Sequence, residues 1–332
     1  MNPYLYFNGL LKLISDVDGT EKIHIGIRPY GFHAGNSMAL IVYPYLLCKY
    51  FEKLRNIPRF HFIISINDWE QDALDGPDIR KYPFNIYPKN TSLQFLASEC
   101  NCHRTAIEHW EPIIIKNTYG LKNKFPEINF SFIRNSTLKK NNIFKRLLVE
   151  TIRNPKRQLD ILVKHSNKET LESPLSFAGV VCRQCQKARG ETSVVSSGLI
   201  SWKCKTCLIS NIEQIEQFDF WWYHKPMLIA RLEIFGVDVT LSGGDHFSEG
   251  DFMVRKEFLK TYSPDTKEPK MIFTPIVVAE NGEKMSKSRN NMQFANIRGM
   301  IDAADGFDSE LLTMTNDLTL NNINEKDDSY IF

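Results

Sequence analysis

No stretch of this chain approaches the roughly 18 consecutive apolar residues that a membrane-spanning helix needs, so no membrane partner is expected. An excess of one charge is also missing. The 41 Lys and Arg against 39 Asp and Glu leave a formal charge of +2, too little for a global pull on a polyanion. Any nucleic acid would have to be held by a local patch, and the Lys- and Arg-containing stretch from Lys139 to Lys164 is the candidate. Met1 to Gly9 has neither a basic n-region nor a long apolar h-region, which makes the cytoplasm the expected compartment. Seven cysteines in 332 residues are too few for a secreted disulfide scaffold. There is no internal repeat, and low complexity is confined to the polar run from Asn316 to Asp328.

What is present fits one large α/β core carrying a smaller insertion. Ile23 to Ile27 reads as a short apolar strand, broken by Pro29-Tyr30-Gly31 ahead of a segment with helical spacing, Ser37 to Leu54. Phe60 to Ile66 reads as a second strand, ending in the polar cluster Asn67-Asp68-Trp69-Glu70. That is the pattern of the carboxyl edge of a parallel sheet, where ligands sit. Thr105 to Asn117 and Pro226 to Phe235 look helical, and Leu138 to Thr170 has amphipathic spacing that suggests helices inserted between two halves of the core. Val237 to Leu241 reads as a strand, Phe247 to Tyr262 as a helix and Met271 to Ala279 as a further strand, so a Rossmann-type sheet resumes after an insertion.

Three segments carry chemistry. Glu283-Lys284-Met285-Ser286-Lys287-Ser288-Arg289 places two lysines and small hydroxyls behind the turn signal Asn281-Gly282, a cationic loop suited to neutralising a triphosphate. Pro29-Tyr30-Gly31-Phe32-His33-Ala34-Gly35-Asn36 joins the first strand to the first helix. Glycine there permits close approach of a phosphate, and the helix amino terminus supplies N–H donors to which His33 and Asn36 add their own. Gly243-Gly244-Asp245-His246 follows a predicted strand, where an acidic side chain can accept from ribose hydroxyls. Four cysteines form a fourth pattern: Cys182-x-x-Cys185, then 18 residues from Gln186 to Lys203, then Cys204-x-x-Cys207. Two thiolate knuckles at that spacing fit a closed tetrahedral, structural Zn²⁺ site. Cys48, Cys100 and Cys102 read as buried or incidental thiols.

Lys284 to Ser288 matches KMSKS, His33 to Asn36 resembles the HIGH signature in its HIGN form, and Gly243 to His246 looks like the G-x-D-H element. Together they resemble the catalytic core of class I lysyl-tRNA synthetase of the archaeal type, over about Ile23 to Asn291. Thr105 to Pro112 and Ala230 to Val237 resemble further segments of that family. The resemblance implies a Rossmann fold, ATP with Mg²⁺, and an aminoacyl-adenylate formed with release of pyrophosphate. It assigns His33, Asn36, Lys284 and Lys287 to catalysis. ATP would be held by Pro29, Gly31, Gly35, Gly243, Gly244, Asp245, His246, Met285, Ser286 and Ser288, with Tyr30, Asp68, Glu70 and Trp222 as candidates for the amino-acid pocket. The expected division is 1–117 and 216–300 for the two catalytic halves, 118–178 for a helical insertion, 179–215 for the zinc module and 301–332 for a tail.

The sequence departs from the family in three places. Gly31 and His33 are one residue closer than in P-x-G-x-x-H, and Trp222-Tyr223-His224-Lys225-Pro226-Met227 stands where the family has an aromatic-basic-acidic cluster. Only 332 − 291 = 41 residues follow Asn291, fewer than an anticodon-binding domain needs. Two acceptors therefore stay open: the acceptor end of tRNA, and a non-tRNA acceptor such as a small molecule or carrier protein. A nucleotide sensor without chemistry is disfavoured, because the loop lysines and His33 are all present.

Overall fold

The computed structural model describes residues 19–28, 36, 38–53, 57–68, 95, 97–98, 105–165, 178–186, 190–196, 199–214, 220–222, 225–243, 251–274, 276–278 and 329–331. Its central feature is a five-stranded sheet built from β1 (Lys22–Ile27), β2 (His61–Ile66), β3 (Asn129–Arg134), β9 (Val239–Gly243) and β10 (Lys270–Thr274). The sheet order is β10-β9-β1-β2-β3, and every neighbouring pair is parallel. Counted along the chain this is the doubly wound order 3-2-1-4-5, and its direction reverses between β1 and β9. The Rossmann-type sheet expected from sequence is therefore present.

HFIISI is apolar at most positions, as a strand buried on both faces needs, while KIHIGI alternates its isoleucines with Lys22, His24 and Gly26. Ile23, Ile25, Ile27, Phe62, Ile64 and Ile66 face one cluster, while Ile63 belongs to the other. Each such side chain, fully buried, contributes about 1.5–3 kcal/mol of transfer free energy.

The first face is covered by α1 (Tyr43–Lys53) and α2 (Ala106–Lys124). A π-helical turn, Met38–Val42, leads into α1. Pro44 gives the physical reason: its ring clashes with the carbonyl of residue i−4 and it has no N–H to donate, so the turn before it widens. Thr105 caps α2 in a reciprocal box, its Oγ1 accepting from the Glu108 N–H at 3.3 Å while Glu108 Oε2 accepts from the Thr105 N–H at 3.1 Å. The helix then runs to Lys124, beyond the Asn117 expected, despite the internal Pro112. Cys48 is buried in this cluster, and burial pushes its thiol up, in keeping with an inert thiol. Cys100 and Cys102 lie outside the described residues.

The second face carries α4 (Asn142–Arg153), α5 (Pro155–His165), α6 (Lys225–Phe235) and α7 (Asp251–Tyr262), with the short α3 (Asn135–Leu138) following β3. β3 lies inside the span read from sequence as a helical insertion. Its NFSFIR alternates Phe130 and Phe132 against the first cluster with Ile133 against the second. The single strand expected over Met271 to Ala279 is divided instead. After β10 the chain resumes as β11 (Ile276–Val278), which pairs with β12 (Ser329–Ile331) in a separate sheet.

The cysteine module is built from β4 (Ala178–Val180), β5 (Gly190–Ser196), β6 (Leu199–Cys204), β7 (Ser210–Gln214) and β8 (Phe220–Trp222). β5, β6 and β7 form an antiparallel meander, and β4 pairs with β8. No helix among the described residues is long and apolar enough to cross a membrane.

Candidate active site and metal centre

In an open parallel sheet, ligands bind beyond the carboxyl ends of the strands at the point where the order reverses. Here that point lies between Ile27 of β1 and Gly243 of β9, strands paired through Ile25 and Leu241. The sequence continues from these two ends as the His33 segment and as Gly244-Asp245-His246 respectively. Gly243 is the last residue of β9. Asn36 is buried, and its Nδ2 donates to the Arg28 carbonyl at 3.0 Å, tying the start of the helical segment to the exit of β1. Pro29, Tyr30, Gly31, His33, Gly35, Glu70, Gly244, Asp245, His246, Lys284, Met285, Ser286, Lys287 and Ser288 lie outside the described residues. Trp222 closes β8, its backbone paired with Ala178.

A polar layer runs along the same edge. The Asn67 N–H donates to the Ile27 carbonyl at 2.8 Å, and Asn135 Nδ2 donates to Asn67 Oδ1 at 3.2 Å. Asp68 is buried, and both of its oxygens accept from Ser136, one from the backbone N–H at 2.9 Å and one from the hydroxyl. It thereby holds the exit of β3 against the exit of β2. Burial raises the Asp68 carboxyl, while the two Ser136 hydrogen bonds and the charge of Arg134 oppose that rise. Beside it, Arg134 grips Glu111 of α2 through Nε, at 3.0 and 3.1 Å, and through Nη2.

Deeper in the same layer, His24 Nε2 meets Ser65 Oγ at 2.8 Å, and Arg231 Nη1 donates to Ser65 Oγ at 2.8 Å and to Asn135 Oδ1 at 3.0 Å. Sequence reasoning assigned no role to His24, Ser65, Asn135 or Arg231. The available signals were a histidine inside an apolar strand and an arginine inside an apolar helix. Burial, reinforced by the charges of Arg231 and Arg255, holds the His24 imidazole well below its ordinary 6.5. Below pH 6.5 the unfolded chain takes up a proton that the folded chain refuses, so stability falls as pH falls. Urea melts between pH 6.5 and 5 are expected to show a loss approaching about 1.4 kcal/mol per pH unit from this group. His24→Gln should flatten that limb, and an unchanged acid limb would refute the assignment.

Cys182, Cys185, Cys204 and Cys207 bring their four Sγ atoms within 4.8 Å of one another. Cys182 and Cys207 are 3.4 Å apart and Cys185 and Cys204 3.5 Å, far beyond a disulfide bond and near the tetrahedral edge of about 3.8 Å implied by metal–sulfur bonds of about 2.3 Å. The two knuckles are built alike. The residue after each second cysteine turns into the left-handed region, Gln186 at φ 59° and Leu208 at φ 63°. Its N–H returns to the first cysteine's carbonyl, Gln186 to Cys182 at 2.8 Å and Leu208 to Cys204 at 3.0 Å. Burial pushes the Cys204 thiol up, but N–H groups of Cys207 and Thr206 and the neighbouring sulfurs outweigh it and bring the thiol to about 7. The donor set fits a tetrahedral, thiophilic cation.

The family model described as class I tRNA synthetases (K) matches residues 33–301. Among solved structures, the chain is similar to tyrosyl-tRNA synthetase from Aeropyrum pernix at 15% identity and a TM-score of 0.43, covering 86% of this chain and 62% of that one. Tyrosyl-tRNA synthetase from Archaeoglobus fulgidus, complexed with L-tyrosine, gives 14% and 0.39 over 87% of this chain and 65% of that one. Tryptophanyl-tRNA synthetase from Plasmodium falciparum gives 13% and 0.35 over 81% and 55%. The chain thus spans less than two thirds of the length of these relatives. No curated protein matches it.

Proposed function

The chain belongs to the class I (K) tRNA synthetases, and from that premise we propose that it is an ATP-dependent ligase that activates an amino acid as its adenylate and transfers it to tRNA. The observation that carries the reading is the order of the sheet. Its reversal between β1 and β9 puts the starts of the His33 and Gly243-Gly244-Asp245-His246 segments at adjacent strand ends.

An amino-acid carboxylate oxygen attacks the α-phosphorus of ATP, the bond to the bridging oxygen breaks, and pyrophosphate leaves with that electron pair. Mg²⁺ supplies charge neutralisation on the phosphates. The protein's contribution is positioning and charge stabilisation. His33 donates to phosphate oxygens, joined by whatever donor capacity Asn36 retains beyond Arg28. Lys284 and Lys287 hold the departing pyrophosphate, with Met285, Ser286 and Ser288 completing their loop. Gly244, Asp245 and His246 address the ribose. Tyr30, Asp68, Glu70 and Trp222 are the proposed amino-acid contacts, Asp68 also fixing Ser136. Lysine, implied by the family description, is the first amino acid to test. Exposed Arg153, Lys156, Arg157 and Lys164 on α4 and α5 are proposed contacts for the tRNA backbone. Zn²⁺ in the four-thiolate cluster orders the module.

ATP–pyrophosphate exchange across the amino acids tests the first step. One amino acid should support exchange well above the rest, and no exchange with any would refute the ligase. Transfer of the labelled amino acid to bulk tRNA tests the second. Exchange without transfer would move the acceptor to a small molecule or carrier protein.

A further inference from the structure

Successive side chains of a strand alternate between faces, so His24 of β1, Ser65 of β2, and Thr240 and Ser242 of β9 all look toward the face carrying α6 and α7. Gly26, paired with Ser65, leaves a gap in this row. Among the described residues, a side-chain carbon at Gly26 would meet only Ser65 Oγ at 3.7 Å and His24 Cε1 at 3.8 Å. Two guanidinium groups bracket the gap. Arg231 of α6 rests on Ser65, and Arg255 of α7 donates from Nη1 to Ser242 Oγ at 3.0 Å.

The electrostatics here are unbalanced. Arg231 is buried, and among the described residues no carboxylate pairs with it. Burial first, and then the charge of Arg255, pull it down to about 9, which still leaves it protonated at neutral pH. Among the described residues, Arg231 Nε and two neighbouring buried atoms, His24 Nδ1 and Thr240 Oγ1, have no hydrogen-bond partner. His24 and Thr240 are register partners, and His24 and Arg231 share Ser65. A water molecule could satisfy the hydrogen bonds but not the charge. An anion satisfies both.

We propose that the space above Gly26, between Arg231 and Arg255, is an oxyanion subsite that receives a carboxylate or phosphate group of one of the enzyme's own substrates. The proposal rests on the ligase reading for the source of that group. It lies one step below the strand exits at Ile27 and Gly243, so a ligand seated at the switch point could reach it.

The test is thermal unfolding of the full, zinc-loaded chain in sodium chloride, sodium acetate and sodium phosphate at matched pH and ionic strength. Acetate or phosphate should raise Tm saturably over chloride, by about 3 °C or more. A rise in acetate alone identifies the amino-acid carboxylate as the natural occupant, and a rise in phosphate alone identifies ATP. Arg231→Gln should abolish the rise. Should that variant fail to fold, Arg255→Gln, at a half-buried position, should shift the half-saturating concentration upward at least tenfold. Equal Tm in all three salts would overturn the subsite, as would an undiminished rise in a folded variant. The readout needs no turnover, so stabilisation without ATP–pyrophosphate exchange would retain the subsite and refute the ligase.

Discussion

Chelation is expected to release one zinc per chain and to unfold the module from β5 to β7 while α2 and the strands β1 to β3 keep their protection against hydrogen exchange. Among the described residues, the module packs largely into a core it shares with the helices. Its buried residues Cys182, Ile200, Trp202 and Cys204 belong to the cluster shared with Phe144, Leu147, Met227 and Phe258, while Leu208 and Ile212 stay 66% and 57% exposed. A sheet of three short strands needs an apolar face to bury or a helix to pack on, and β6 of this one buries Ile200 and Trp202 in the shared cluster. Gln186 and Leu208 add backbone strain of about 1–3 kcal/mol each, which only a structure over-determined by its surroundings sustains. Structural zinc in four thiolates supplies about 10–16 kcal/mol at neutral pH, more than enough to dominate that balance. Cys204→Ser should reproduce the loss, and exchange should quicken next in α4 and α6, which pack on the same cluster. Substoichiometric zinc in a chain whose 190–214 amides remain protected would refute the site.

The elements legible in the sequence are those whose cause is local. A largely apolar run of five to seven residues marked β1, β2 and β9, and the spacing of the cysteines marked the four-thiol cluster, because both knuckles close within a few residues. β3 escaped notice since NFSFIR is as polar as it is apolar and becomes a strand only by pairing with β2. Pro44 is visible as a residue, but its consequence depends on where the helix around it runs. The polar layer was beyond local reading altogether. Arg231 meets Asn135 across 96 residues and Ser65 across 166, distances at which no periodicity operates. Asp68 shows the converse. Its place at the carboxyl edge of β2 was foreseen from the sequence, whereas its two hydrogen bonds to Ser136, which tie the exit of β3 to that of β2, were not.

Lys287→Ala and His33→Ala are each expected to slow ATP–pyrophosphate exchange by more than tenfold, with losses toward 10²–10³-fold where a single preorganised donor to the transition state is removed, or about 2.7–4 kcal/mol. The reason lies in when the charge appears. Ground-state ATP is bound by many groups, including Mg²⁺, so loss of one side chain should change KM for ATP modestly. Negative charge accumulates on the bridging oxygen and on pyrophosphate only as the α-phosphorus bond breaks, and a lysine placed there acts mainly on kcat. Lys287→Arg keeps the charge but not the compact ammonium, and should recover part of the rate. His33→Gln keeps a hydrogen-bond donor and should do likewise. Thermal stability is expected to stay within about 1 kcal/mol of the parent, so that the loss of rate reads as loss of chemistry. Exchange at parental rates in both alanine variants would remove these residues from the reaction. A rise in KM with kcat unchanged would make them ground-state binders alone.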